Sequence, residues 1–497
     1  MTDLASLRKQ KLGRLSSGEP PRVLELCSGC GGMSLGLKTA GFEISAHIES
    51  DPSAAASHAA NFSTASLESE EAWSQPRDMN SCSPETVLRD FRIDGRASEA
   101  FDVLAAGLPC QAFARIGRSK LRSVSGDDDA FRKDPRASLY RRFLEYVQET
   151  QPLAILIENV PDILNFGGHN IPEEICATLE DLGYRTRYTI LNAAFYGVPQ
   201  LRERLFLVAL DASLDASPDF PVPSHCVELP RGYEGSRCVA LKHVPRGTPY
   251  FHPIPEPENG LPKALVVKDA LADLPFISQH FTNPSVMRQR RVEDRLPYRI
   301  NKDLSEYALA MRRWPGFETD GEVGGNVVRL TARDFPIFQR MPHGADYPKA
   351  LKVAEEIFEE KLAALAAEGY RPRKNSLRYA ELRSTIIPPY DPGKFPNKWW
   401  KLDPSAPSRT LTAHIGKDTY SHIHYDGRQK RTISVREAAR LQSFPDGFRL
   451  AGSMNAAFRQ VGNAVPPLLA LAVARTLRRA LLKSALAVSD PQHRFAA

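Results

Sequence analysis

No uninterrupted apolar run in this chain approaches the roughly 18 residues that a membrane span needs, and no charged, then apolar, then small-residue leader is present. Neither a membrane protein nor a secreted one is therefore expected. Cysteine is scarce: the seven in 497 residues have no spacing that would build a disulfide framework, which points to a reducing, cytoplasmic setting. Internal repeats and low-complexity tracts are missing too, which excludes solenoid and linker-like architectures. Nor is there a strong excess of charge, since 65 basic against 59 acidic residues leave a formal +6. Spread over the whole surface that says little, although a local concentration would favour a polyanion such as DNA or RNA. What is present is an ordinary globular composition, 42% apolar and 25% charged, long enough for two or three domains. Residues 1–20, polar with several Lys and Arg, are expected to be a loose tail.

Short apolar runs mark six strand candidates: Val23 to Leu26, Ile44 to Ile48, Phe101 to Ala106, Leu153 to Ile157, Arg187 to Leu191 and Leu205 to Ala209. Their spacing predicts a mostly parallel, doubly wound α/β sheet. Chemistry-bearing residues stand at the carboxyl ends of these runs, where open α/β sheets place ligands. After the first comes Cys27-Ser28-Gly29-Cys30-Gly31-Gly32, and after the second Glu49, about 20 residues beyond the glycines. That is a nucleoside-binding layout, in which glycines admit the ligand and the acid accepts from ribose hydroxyls. A structural tight turn would explain the glycines as well, and Cys27-x-x-Cys30 invites a redox or zinc reading, although no second Cys or Cys/His pair completes a zinc site. The third run opens into Gly107-Leu108-Pro109-Cys110-Gln111, a thiol that is either a nucleophile or a small apolar filler. The fourth ends in Glu158-Asn159-Val160. Before the sixth, Gln200, Arg202 and Arg204 would share one face of a strand by the period of two, or form a solvated polar edge.

After Asp211 the texture changes. Prolines become frequent (Pro218, Pro221, Pro223, Pro245, Pro249) and the alternation of strands and helices stops, which predicts a separate domain to about Ser434. Basic residues cluster at Arg288, Arg290, Arg291, Arg295 and Arg299, and again between Arg371 and Arg383, with Tyr298, Tyr370 and Tyr379 interleaved. Such runs meet phosphates and bases, or are merely a solvated charged face. Lys349 to Gly369 predicts one amphipathic helix with Ala354, Ile357, Phe358, Leu362 and Leu365 inside. Ser434 to Glu437 reads as a capping box ahead of a helix, and Pro466-Pro467 as the opening of a last apolar helix through about Leu482.

In their order along the chain, Ser28 to Gly32, Glu49, Asp78-Met79, Gly107 to Gln111, Glu158-Asn159-Val160, Gln200-x-Arg202-x-Arg204, Arg409-Thr410 and Gly462 to Pro467 resemble the DNA (cytosine-5) methyltransferases over nearly the whole length. The resemblance implies an S-adenosylmethionine-dependent, Rossmann-like methyltransferase sheet with a large inserted target-recognition domain. On that pattern 21–210 is catalytic and cofactor-binding, 211–434 recognises DNA, 435–482 rejoins the catalytic domain and 483–497 is a tail.

The implied roles are specific. Cys110 would add to carbon 6 of cytosine, Glu158 would hold N3 and the amino group, Arg204 would reach O2, and Arg202 would brace the acid and the loop. Gln111, Asn159 and Gln200 would support base and loop. The cofactor S-adenosylmethionine would lie against Ser28, Gly29, Cys30, Gly31, Gly32, Glu49 (ribose), Asp78 (adenine), Met79, Gly107, Pro109, Asn463 and Ala464. No metal is implied. Double-stranded DNA is the implied partner, met by Arg288, Arg290, Arg291, Arg295, Arg409 and Thr410, with Ser119 to Asp129 as a lid over the flipped base. A cognate restriction endonuclease would be a functional partner of a monomeric, nucleoid-associated bacterial enzyme.

Three positions depart from the commoner pattern. Cys27 stands where many members have a Phe that stacks on adenine, and Ala112 and Ala114 stand where serines are frequent. None removes an atom the reaction needs, so activity is expected. A tRNA-methylating branch would carry a short recognition region and a Cys-Phe-Thr triplet, which the chain does not have. A catalytically dead DNA-binding protein would not need Cys110, Glu158 and Arg204 together. A nicotinamide-dependent oxidoreductase would leave Pro109-Cys110-Gln111 without a job.

Overall fold

The computed structural model describes residues 4–63, 67–109, 135–165, 169–230, 233–245, 247–300, 304–417 and 420–489. Two compact units emerge, the first comprising 1–198, 202–264 and 464–497, the second 199–201 and 265–463.

The first unit is built on a six-stranded sheet of β1 (Arg22–Leu26), β2 (Glu43–Ile48), β3 (Val103–Ala106), β4 (Ala154–Asn159), β5 (Tyr184–Asn192) and β6 (Glu203–Asp211). All six expected strands are there. Their order is β2-β1-β3-β4-β6-β5. Pairs β1–β2, β1–β3 and β3–β4 are parallel. The β4–β6 and β5–β6 pairs are antiparallel, so β6 alone runs against the other five strands and the sheet is mostly parallel, as expected. The segment 193–202 between β5 and β6 holds only a 3-10 turn, Ala193–Tyr196, and is too short for the helical crossover that a parallel return requires.

Side chains of the inner strands alternate between two cores. Leu24, Leu26, Leu104, Ala106, Ile155 and Ile157 join one with the helices Pro135–Thr150 and Ile171–Asp181. Val23, Val103, Ala105, Ala154 and Leu156 face the other, shared with the helices Leu4–Ser16, Gly32–Thr39 and Pro467–Ser489. A strand covered on both faces must be apolar throughout, which is why these runs read as continuous in the sequence. On the second face Gly36 is required: a Cβ there would stand 2.4 Å from that of Ala470 and 2.6 Å from the Leu471 nitrogen.

Three expectations are corrected. Residues 4–16 are not a loose tail but a docked helix that buries Leu7, Leu12 and Leu15. Its Lys11 ammonium donates to the carbonyls of Phe101 (2.6 Å), Thr150 (3.2 Å) and Gln151 (2.8 Å), and Arg14 pairs with buried Asp102 at 2.6 Å. Part of the tail-like polarity is thus a buried lysine with three carbonyl partners and a half-buried arginine in an ion pair. The last helix continues past Leu482 to Ser489, so the expected tail from 483 begins inside it. The change of texture at Asp211 does not mark the unit boundary, because 211–264 stays with the first unit: Phe251 bridges to Tyr188 of β5, and Arg237 pairs with Glu203 of β6 at 2.7 Å.

The second unit contains the expected amphipathic helix, observed as Tyr347–Ala367 with Asp346 as its cap. Ala354, Phe358 and Leu362 are buried with Phe338, Tyr347 and Trp399. The capping box at Ser434 opens the helix Val435–Leu441, which with Met454–Asn463 belongs to this unit, so that the chain returns to the first unit only from 464 and not from 435 as expected. Buried ion pairs knit it together, Arg440 to Asp273 at 3.0 Å and Arg431 to Glu437 at 2.6 Å.

Candidate active site

In the first unit the strand order reverses between β1 and β3, and a crevice outside the carboxyl ends of the strands at such a point is where α/β sheets hold ligands. The β1 end turns through Cys27 to Gly31 into the helix Gly32–Thr39. Gly31 adopts φ +96°, and a Cβ on it would sit 2.3 Å from Phe62 Cε2, so only glycine fits this turn. Ser28 N–H donates to the Ile48 carbonyl at 3.1 Å, which ties the turn to β2.

Beyond β2, the Glu49 carboxylate accepts from Gly29 N–H (2.8 Å) and Asp51 N–H (2.7 Å), and burial pushes its pKa up. Arg77 N–H donates to the Glu49 carbonyl at 2.7 Å and so brings the Asp78 turn alongside. Asp78 is exposed, whereas Met79 is buried in the core and offers only its carbonyl, to Arg142. Burial pushes both Cys27 and Cys30 up to about 12, so both are thiols and not thiolates at neutral pH.

At the β3 end Gly107 N–H donates to the Leu26 carbonyl at 3.1 Å, and Pro109 is exposed. Cys110 and Gln111, with Ala112, Ala114 and the segment Ser119 to Asp129, lie outside the described residues. The approach to them is held nonetheless: Asn159 Nδ2 donates to the Leu108 carbonyl at 2.8 Å. One residue before it, Glu158 Oε1 meets Arg204 Nε at 2.9 Å, both side chains being nearly buried. Register explains the meeting, since Ala106 pairs with Ile157, and Glu158 with Phe206. Burial raises the Glu158 pKa against the opposing pull of Arg204 and Arg202, and it lowers that of both arginines. A carboxyl in this condition takes a proton more readily than an exposed one.

Gln200, Arg202 and Arg204 do not share one strand face, because β6 begins only at Glu203. Gln200 is buried in the second unit, where Nε2 donates to the Leu441 carbonyl at 3.1 Å and Oε1 accepts from Leu411 N–H at 2.9 Å. Arg202, wholly buried in the first unit, donates to the Ala464 carbonyl at 3.1 Å, and it is Arg204 that holds the acid. Asn463 ends the helix Met454–Asn463.

Among the basic candidates of the second unit, Arg288 and Arg291 are exposed. Arg290 is committed to Gln279 and to the Asn326 carbonyl, and exposed Arg295 donates to the Glu322 carbonyl at 2.8 Å. Arg409 lies over the Trp400 ring at 4.6 Å, and Thr410 donates to the Leu201 carbonyl at 2.7 Å. Tyr298, expected among the bases, packs under Arg312 at 3.6 Å.

Motif reading passed over Glu25, Ser34, His47 and His58, buried polar groups behind the glycine turn. The signal available was their polarity at positions where periodicity calls for apolar residues.

Comparison with known proteins adds to this geometry. The profile of the C-5 cytosine-specific DNA methylases matches residues 21–236 and 343–479. M.OihORF3336P of Oceanobacillus iheyensis, provisionally named a type II methyltransferase, is 36% identical over 471 residues, covering 92% of this chain and 95% of its own. The type II methyltransferase M.AgeI of Thalassovita gelatinovora is 29% identical over 486 residues, 93% of this chain and 100% of its own. A crystal structure of a prophage-encoded, provisionally assigned DNA modification methyltransferase from Escherichia coli superposes with a TM-score of 0.56 at 21% identity, covering 93% of this chain and 99% of the other, and so shares the fold.

Proposed function

The chain belongs to the C-5 cytosine-specific DNA methylases and is a DNA cytosine-5-methyltransferase, and from that premise we propose that it methylates a cytosine turned out of duplex DNA through a transient Cys110 adduct, with S-adenosylmethionine as methyl donor. The observation that carries this reading is the convergence at the β3 and β4 ends: Asn159 clamps Leu108, two residues before Cys110, and its neighbour Glu158 is paired with Arg204.

The residues present fit the cofactor. Glu49 offers a carboxylate to a ribose, the turn at Gly29 to Gly32 accepts no side chain at Gly31, and Asp78 stands exposed beside Glu49 for an adenine amino group. When bound, S-adenosylmethionine supplies the electrophilic methyl group that carbon 5 takes up.

Carbon 5 of cytosine is a poor nucleophile, and this chain's residues correct that. Cys110, as thiolate, forms a bond to carbon 6, and the displaced electron pair moves toward N3. Glu158 gives N3 a proton as that charge develops, a task suited to a carboxyl whose pKa burial has raised. Arg204 steadies Glu158 and the base's O2. Once carbon 5 is methylated, its proton passes to solvent, the electron pair left behind forms the carbon 5–carbon 6 double bond and expels the sulfur as thiolate, and N3 returns its proton to Glu158. Turning the base out of the stack costs a few kcal/mol, offset by contacts in the pocket.

We assign recognition of the DNA word to the second unit and phosphate contact to Arg288, Arg291 and Arg295. The similarity to type II methyltransferases supports a self-marking role beside a cognate restriction endonuclease. The test is methyl transfer from labelled S-adenosylmethionine to mixed genomic DNA. Label is expected in 5-methylcytosine with wild type and absent with Cys110→Ser. A protein that binds the cofactor but transfers no label would defeat the proposal.

A further inference from the structure

Behind the glycine turn lie two histidines that the mechanism above does not use. His47, on β2, and His58, on the helix Pro52–Phe62, are fully buried and stack face to face, with ring centroids 3.8 Å apart and planes within 6°. Trp73 extends the stack, 5.3 Å from His47 and 5.6 Å from His58.

Each ring touches the turn. His47 Nε2 lies 2.8 Å from the Trp73 carbonyl, which can only accept, so Nε2 carries the proton and Nδ1 is an acceptor. Nδ1 is 2.9 Å from Ser28 Oγ, so the Ser28 hydroxyl donates to it and its rotamer is set. His58 Nε2 is 2.8 Å from Ser34 Oγ, which also bonds Glu25. The edge of the same ring underlies Gly31, where a Cβ would stand 3.1 Å from His58 Cδ2. Burial drives His47 down to about 4 and His58 below its ordinary value, so both rings are neutral at neutral pH and the stack carries no like-charge repulsion.

We infer that His47 and His58 are positioning residues that hold the glycine turn and the start of the helix that follows it from beneath, in the shape that receives S-adenosylmethionine, with the His47–Ser28 hydrogen bond as the controlling contact. The inference rests on the cofactor site proposed above. Neither ring touches the reacting atoms, so the effect belongs to cofactor affinity and not to turnover.

Calorimetric titration of the full chain with S-adenosylmethionine, together with steady-state kinetics on DNA, tests it. Asn at position 47 places a carbonyl oxygen where Nδ1 accepts, whereas Gln reaches toward Trp73 and abandons Ser28. His47→Gln and Ser28→Ala should each weaken cofactor binding roughly three- to tenfold, the scale of one buried hydrogen bond, and His47→Gln should do so with kcat unchanged. The two combined should cost no more than either alone, and His47→Asn should recover affinity to within about twofold of wild type. Ser28→Ala removes a single oxygen and keeps the test open should a His47 variant fail to fold. Wild-type affinity in both His47→Gln and Ser28→Ala would overturn the inference, as would equal losses in His47→Asn and His47→Gln that track their melting temperatures. Failure of wild type itself to bind S-adenosylmethionine would instead overturn the cofactor reading.

Discussion

Glu158 reaches the proposed base pocket as a buried acid under two opposing influences, desolvation raising its pKa and the Arg204 guanidinium lowering it, with desolvation the larger. Glu158→Gln keeps size and hydrogen-bonding capacity but removes the proton donor. It should lower kcat by roughly 10²- to 10⁴-fold, the usual worth of general acid catalysis, while DNA and cofactor binding hold. Single-turnover methylation beside a DNA-binding titration reads the two separately. At this scale the sequence was most informative about residues at strand ends. Glu158, Asn159 and Glu49 could be named from their places after apolar runs, and Arg204 from its place just before one. The bond from Arg202 to the Ala464 carbonyl could not, because partners 262 positions apart leave no local pattern. Gln200 was misread for a related reason: its place on a strand face assumed a strand that starts three residues later.

Elements were legible wherever a periodic apolar pattern had punctuation, as in the six strands, the Ser434 capping box and the helix that ends before Gly369. The N-terminal helix was missed because its contribution is carried by cations. Lys11 is buried with three carbonyl partners, and burial pushes its pKa down to about 8. No hydropathy pattern announces a buried lysine. Lys11→Ala would leave those carbonyls short of a donor and should cost about 2–4 kcal/mol, within the range for breaking a buried polar network. Urea denaturation would register this as a lower midpoint at unchanged slope. An unaltered midpoint would return 4–16 to the status of an appendage. The helix Pro284–Gln289 makes a different case, ending in a basic run whose members divide between structure and surface. Replacing exposed Arg288 and Arg291 together by Ala should weaken DNA binding and reduce the slope of log affinity against log salt by roughly 2, about 0.9 for each phosphate no longer neutralised. An unchanged slope would remove that run from the interface.

Over the whole molecule, the α/β class and the family were readable because their motifs sit at sheet ends that any such fold needs. The domain boundary was not. Residues 211–264 look like the start of an insertion because proline interrupts them, yet they pack into the first unit through scattered apolar residues such as Leu214, Phe220, Tyr250 and Phe251, which carry no sequence periodicity. Among the described residues no helix is long and apolar enough to cross a membrane.

Buried titratable groups also set a global pH response. His47, His280 and His422 are each held down to about 4, so as pH falls below about 6.5 the unfolded chain binds protons that the folded one refuses. Stability should therefore fall between pH 6.5 and 4, by about 1.4 kcal/mol per pH unit for each histidine. Glu25 acts in the opposite sense: its pKa is raised to about 8, and its contribution is lost as pH rises from 4.5 through 8. His58, His225 and His424 are lowered and Glu49, Glu149, Glu158 and Glu203 raised in the same two senses, so six histidines face five acids and a net loss on the acid side is expected. Urea midpoints measured at steps from pH 8 to 4.5 check the sign.

The most direct measurement of the central claim is base-resolution mapping of modified cytosine in DNA from cells expressing the wild-type chain or Cys110→Ser. Wild type should place 5-methylcytosine at one short sequence word, and Cys110→Ser should place none. Methyl groups on another atom, or equal 5-methylcytosine with Cys110→Ser, would contradict it.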